Sequence, residues 1–141
     1  HLINKVYIAI CQGKPINSES VINLTIPDKK DKSKSSVSIT RYKVIESKHK
    51  ISNIIFLPKT GKTHQIRIVA KHLGCPIIGD TKYNTQNKYN FEKLKLNAYI
   101  LSFVFNNHEY EFIAELPIHF KNFFDKNKLK KINSKNIKNF L

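Results

Sequence analysis

Six runs in the first 116 residues carry apolar side chains with a period of two or as β-branched stretches, and short polar punctuation separates most of them. That pattern restricts the chain to a fold built around a sheet. Residues 4–11, NKVYIAIC, place Val6, Ile8 and Ile10 on one face and Lys5, Tyr7, Ala9 and Cys11 on the other. Gly13 and Pro15 end this strand, and VINLTI at 21–26 begins the next. PDKKDKSKSS at 27–36 reads as a solvated loop. SVSITRYKVIE at 36–46 and NIIFLP at 53–58 form an antiparallel pair about the turn SKHKIS. AYILSFVFN at 98–106 and HEYEFIAEL at 108–116 make a second pair about an Asn-Asn-His turn, with Tyr99, Leu101, Phe103 and Phe105 expected to face the core.

Helical spacing occurs in two places. Residues 64–73 put Ile66, Val69, Ala70 and Leu73 on one stripe and His64, Arg67 and Lys71 on another; Thr63 is the expected N-cap, and Gly74 with Pro76 is the stop. Residues 118–132 gather phenylalanines on one side, and the lysine- and asparagine-rich tail beyond is expected to fray. The stretch 84–97 between these helices reads as irregular. With 141 residues the chain holds a single core. The expected class is therefore α/β in the α+β sense: a mixed, mostly antiparallel sheet with flanking helices, divided into a body at 1–125 and a basic tail at 126–141.

Charge narrows the partner. The formal net charge is +15, and between Glu46 and Glu92 Asp80 is the only acid, facing seven lysines and Arg67. Cations concentrated in this way suit a polyanion, because lysines along phosphates release condensed counterions. The bias of 23 lysines against 2 arginines is also what AT-rich codon usage produces, so the distribution carries more than the total. No apolar run approaches a membrane span, no secretory leader opens the chain, and two cysteines sixty-four residues apart make no disulfide framework. A cytoplasmic, monomeric protein is expected. There is no methionine, and the chain opens almost directly into a strand, which suggests a fragment.

Chemistry concentrates in residues 60–80, TGKTHQIRIVAKHLGCPIIGD. The string GKT is not a phosphate-binding P-loop, since Phe56 stands where the first glycine belongs. His64 and His72 are eight apart, and Cys75 lacks a CxxC partner, so no metal site is expected. No G-x-S-x-G elbow is present, and Cys11 and Cys75 read as buried small hydrophobes. Arg67 is either a solvated helix residue or a guanidinium retained for its fork geometry.

Residues 60–83, T-G-K-T-H-Q-I-R-I-x-A-x-H-L-G-x-P-I-I-G-D-x-x-Y, resemble the signature of the RluA-type RNA pseudouridine synthases. The likeness continues in Lys5-Val6-Tyr7-Ile8-Ala9 ahead of Gly13, in VSITRY at 37–42, in LNAYILSFVFNN and in AELP, and so spans roughly residues 5–120 in order. The resemblance implies the pseudouridine synthase catalytic-domain fold, incomplete at its N-terminus. It implies isomerisation of a flipped uridine, chiefly in large-subunit ribosomal RNA, without cofactor or metal. Tyr7 then corresponds to the tyrosine that stacks on the flipped base, and Arg67 to the arginine that pairs with the catalytic aspartate. Lys59, Lys62, His64, Gln65 and Lys71 would meet RNA or order the site.

That aspartate belongs to an H-R-L-D motif that none of Asp28, Asp31, Asp80 and Asp125 matches. Asp80 is expected to hydrogen-bond locally, to backbone amides of its G-D-x-x-Y turn, and not to be the carboxylate that Arg67 faces. The 141 residues alone are therefore expected to be inactive. Lys62 stands where the family usually has arginine, and Val69 and Cys75 where histidine is common, which bears on substrate contacts. The rival expectations are a non-catalytic basic ribosomal or RNA-binding protein and a truncated remnant of the synthase.

Overall fold

The computed structural model describes residues 3–86, 88–89 and 91–139. Strands β1 (Ile3–Gln12), β2 (Glu19–Pro27), β3 (Ser35–Lys48), β4 (Ile51–Pro58), β5 (Leu96–Phe105) and β6 (His108–Ile113) form one six-stranded sheet in the order β2-β3-β4-β1-β5-β6. Every pairing is antiparallel. Helix α1 (Gln65–His72) lies between β4 and β5 in sequence, and α2 (Ile118–Asn127) and α3 (Ser134–Lys138) follow β6. No helix among the described residues is long and apolar enough to cross a membrane.

The period-two pattern of β1 becomes two cores, one on each face. Val6, Ile8 and Ile10 pack with Ile55, Leu57 and the α2 residues Phe120, Phe123 and Phe124. Ala9 and Cys11, with Tyr7 at the margin, pack with Ile54, Phe56 and the α1 residues Ile66, Val69 and Ala70. Each fully buried phenylalanine contributes roughly 1.5–3 kcal/mol. Cys11 and Cys75 are free and buried, and burial pushes the Cys75 thiol up to about 11. Asn53 of β4 is wholly buried, and its side-chain amide has no hydrogen-bond partner.

Two-residue turns join β3 to β4 and β5 to β6. His49-Lys50 (φ +54° and +60°) and Asn106-Asn107 (φ +49° and +63°) are all left-handed, the twist that suits tight hairpins. As far as the described residues reach, to 139, the tail does not fray. Helix α2 stops at Lys128, which turns left-handed (φ +54°), and the chain then returns to bury Leu129 and Ile137 on the α2 side of the sheet.

The expectation for β5 is corrected. Tyr99 is buried, but Leu101 and Phe105 are exposed and Phe103 is half-buried. A β-bulge is the cause. Val6 pairs with Ile100 while Tyr7 pairs with Ala98, so Tyr99 is the extra residue and joins Ile100 in the α2-side core. The alternation restarts one step out of phase, and Leu101, Phe103 and Phe105 fall on the α1 face. There α1 packs against β2, β3 and β4 and leaves the far end of the sheet uncovered.

Candidate active-site cleft

The segment from Pro58 to Arg67 forms one wall of the cleft, and it is fixed by a glutamine. Gln65 is buried, and its Oε1 accepts from the Lys62 backbone N–H (3.0 Å) and the Thr60 hydroxyl (2.8 Å). Its Nε2 donates to the Ile39 carbonyl (3.1 Å) and the Thr40 hydroxyl (2.9 Å), tying the loop to β3. The amide capacity of Gln65 is thus engaged inside the protein. The expected cap is corrected as well: His64, not Thr63, precedes the helix, in left-handed backbone (φ +55°) with no capping hydrogen bond from its side chain, and Gln65 holds the loop ahead of it.

Opposite the loop, the chain leaves α1 through Gly74 and runs beside the end of β1. Gln12 N–H donates to the Pro76 carbonyl (2.8 Å), and Ile78 N–H to the Ile10 carbonyl (3.0 Å). Gly79 then turns with φ +83°, where a Cβ would strike the backbone of Lys93 and Leu94, and it delivers Asp80 against α1.

Here the structure overturns the expectation that Asp80 leaves Arg67 to another acid. Arg67 Nε and Nη2 donate to the two carboxylate oxygens of Asp80 at 2.9 and 2.8 Å, a bidentate fork. The local bonding expected of Asp80 is present as well, since Oδ1 accepts from the backbone N–H groups of Lys82 and Tyr83, both at 3.0 Å. Its side chain is completely buried, and that of Arg67 is 18% exposed. Burial alone raises the Asp80 carboxyl, but the guanidinium and the two backbone donors outweigh it and hold it below its ordinary value. The local charge count singles out Asp80 as the one acid among many cations; only the folded turn shows that it also reaches across to α1.

Tyr83 closes the cluster. Its ring lies 5.1 Å from the Arg67 guanidinium carbon and meets the His64 ring edge-on at 5.7 Å, and its hydroxyl is 3.0 Å from His64 Nδ1. Burial and then the nearby charges of Arg67 and Lys82 depress the His64 imidazole, favouring its neutral form. Tyr83 was legible in the sequence only as the last letter of G-D-x-x-Y.

Tyr7 and Arg67 line the same cleft, about 440 Å³, together with Lys5, Thr60, Lys62, His64, Gln65 and Leu96. Lys62 and His64 are exposed at its mouth, and Lys59 and Lys71 are exposed but do not line it. Tyr7 also borders a second hollow of about 370 Å³ on its other side, with Ala98, Leu101 and Phe112. A planar ring could lie against Tyr7 with a cation in reach. Asp80 occupies the Nε–Nη2 edge of the Arg67 guanidinium and leaves Nη1 outside the pair.

The architecture is that of pseudouridine synthase catalytic domains. Human RNA Pseudouridylate Synthase Domain Containing 4 superposes with a TM-score of 0.82 at 24% identity, over 93% of this chain and 64% of that one. Human RNA Pseudouridylate Synthase Domain Containing 1 gives 0.71 at 22% identity, over 82% and 55%. In sequence, the profile of RNA pseudouridylate synthases matches residues 1–72. The ribosomal large subunit pseudouridine synthase C of Rickettsia bellii is 34% identical over 84% of this chain and 44% of its own length. The synthase D of Borreliella burgdorferi is 36% identical over 83% and 39%. The chain belongs to the RNA pseudouridylate synthase family. It spans less than half the length of these two curated relatives.

Proposed function

We propose that these 141 residues form the part of a cofactor-independent pseudouridine synthase that supplies Tyr7 and Arg67 to a uridine-isomerising site, acting on ribosomal RNA in the cytoplasm. The observation that carries this reading is that the phenol of Tyr7 and the guanidinium of Arg67 line one cleft with cations at its mouth. A uridine extruded from an RNA loop enters against Tyr7 at an unstacking cost of a few kcal/mol. Lys62 at the rim and Lys59 and Lys71 nearby meet phosphates. Gln65 serves RNA binding by fixing the loop that presents Lys62 and His64.

The nucleophilic aspartate comes from polypeptide outside these residues. Nη1 of Arg67 holds that carboxylate ionised and oriented while Asp80 fixes the Nε–Nη2 edge. The aspartate adds to the nucleotide, the N1–C1′ bond breaks, the base turns, C5 bonds to C1′ and the aspartate leaves; the C5 proton goes to solvent while N1 takes one up, so that substrate and product have the same composition. Ribosomal RNA as substrate is supported by the names of the relatives in Rickettsia bellii and Borreliella burgdorferi.

The test is tritium release from RNA labelled at uridine C5. The chain alone is expected to release none, and release by it would sink the assignment of the nucleophile elsewhere. Fused to an acid-bearing synthase segment, the chain should turn over, and Arg67→Ala should abolish turnover with only a modest loss of RNA affinity. A purely RNA-binding protein would instead lose affinity and show a shallower salt dependence, with no turnover to lose.

A further inference from the structure

An ammonium is sealed in the core beside the Gly79 turn. The side chain of Lys95, the last residue before β5, is completely buried. All three of its donors are engaged: the Glu92 carboxylate accepts at 3.0 Å, the Lys93 carbonyl at 2.9 Å and His119 Nδ1 at 3.0 Å. Its Nζ also lies 5.6 Å from the centre of the Phe123 ring. Glu92 and Lys93 belong to the irregular stretch ahead of β5, whereas His119 and Phe123 belong to α2. Lys95 therefore pins that stretch to the helix. Since Nδ1 accepts, the His119 ring is neutral and carries its proton on Nε2. Burial, and then the charges of Lys95 and Lys93, depress this imidazole, with Glu92 opposing them. Among the described residues those three are the charged groups that bear on it.

Stability alone does not call for such a group, because an apolar side chain in place of a buried ion pair is commonly as stable. Position does. The backbone gripped by Lys95 abuts the Gly79 turn: the Lys93 carbonyl and the Leu94 nitrogen fill the space that a Gly79 Cβ would need. Lys95 N–H donates to the Ile78 carbonyl (2.9 Å), and the Lys95 carbonyl accepts from Ile10 N–H (3.0 Å). Gly79 delivers Asp80 to Arg67, and Leu94 and Leu96 line the cleft. We infer that Lys95 is a positioning residue for this cleft: by holding the Lys93 carbonyl against His119 it fixes the Gly79 turn, and through it the Asp80–Arg67 pair that leaves Nη1 for the reacting carboxylate. The use of Nη1 rests on the functional reading above; the clamp does not. Protonation of His119 at Nδ1 sets a second cation against the ammonium. The clamp therefore holds above about pH 6.5 and opens as the pH falls through the depressed value of His119.

The test follows hydrogen exchange by NMR in the 141-residue chain, corrected for the intrinsic pH dependence of exchange. The sites are Arg67 Nε–H and the Lys82 and Tyr83 amides, all of which Asp80 holds. Lys95→Met keeps the stem and removes the charge. At pH 7 it should speed exchange at these sites by about tenfold or more, while the β2–β3 amides keep their protection. His119→Asn offers Oδ1 where Nδ1 stood but cannot titrate. It should exchange like the wild type at pH 7 and lack the acceleration that the wild type shows between about pH 6.5 and 5. The His64 imidazole lies against Tyr83, so an acceleration that persists in His119→Asn belongs to His64 and overturns the proposal. Unchanged exchange in Lys95→Met, or acceleration spread evenly over the sheet, overturns it as well; if that variant does not fold, His119→Asn decides alone. These readings need no turnover and so stand apart from the uridine-isomerising assignment. In an active fusion with an acid-bearing synthase segment, Lys95→Met should lower kcat about tenfold at unchanged KM for RNA, and an unchanged kcat removes Lys95 from the positioning of the site. A fusion that never releases tritium sinks the enzymatic reading and leaves the clamp to be decided by the exchange data.

Discussion

Arg67 and Asp80 are thirteen positions apart, and neither side chain can be understood alone. A buried carboxylate is costly unless ionic and backbone donors surround it, and Asp80 has both kinds. Asp80→Asn keeps the shape but removes the charge that Arg67 faces. It should lower the unfolding free energy by about 3 kcal/mol, measured by urea denaturation at pH 7. The pH dependence has a definite sign. The folded carboxyl is held below its unfolded value, so the wild type has its full advantage above about pH 4 and loses it as the pH falls further; the variant should show no such step. Sequence reading found both members of this pair and separated them wrongly. The turn at Gly79 brings together residues whose one-dimensional contexts, a helix face and an Asp-x-x-Tyr turn, each look self-sufficient.

Among elements, the strands were the most legible, because a period of two survives any rearrangement of neighbours. Their boundaries followed from Gly, Pro and paired asparagines. The facing of β5 was not legible: a single bulge inverts every later side chain, and it is set by pairing with β1 across some ninety residues of sequence. Nor was the start of α1, where the helix begins after a left-handed His64 with no side-chain cap and Gln65 ties the preceding loop to β3. Strand β4 carries a different anomaly in Asn53, buried without a partner on the face that α2 covers. Replacing both polar atoms by carbon removes an uncompensated desolvation cost, so Asn53→Leu should stabilise the protein by about 1 kcal/mol, visible as a raised urea midpoint at unchanged slope. A lowered midpoint would show that the amide is satisfied in solution.

For the molecule as a whole, charge is partitioned. Lys5 and Lys62 line the cleft and Lys59 and Lys71 are exposed nearby in sequence, whereas the β5–β6 hairpin has no lysine, so the cationic charge is unevenly spread. Affinity for single-stranded RNA should therefore fall linearly with salt on logarithmic axes. Substituting Lys59, Lys62 and Lys71 together by alanine should flatten that line by about 2, at roughly 0.7 for each phosphate no longer neutralised. An unchanged slope would place the RNA elsewhere. This partition was open to sequence reading only in its basic half; that the lysine-free stretch is largely uncovered emerged from the folded sheet.

β1 is the common wall of two hydrophobic layers, giving alternate side chains to each. Neither layer can melt while the other persists, because loosening either one withdraws the strand against which its counterpart is stacked. Heat or urea should consequently dissolve the α1 and α2 sides in a single step, and an opening large enough to bare the thiol of Cys11 should bare the rings of Phe120 and Phe123 with it.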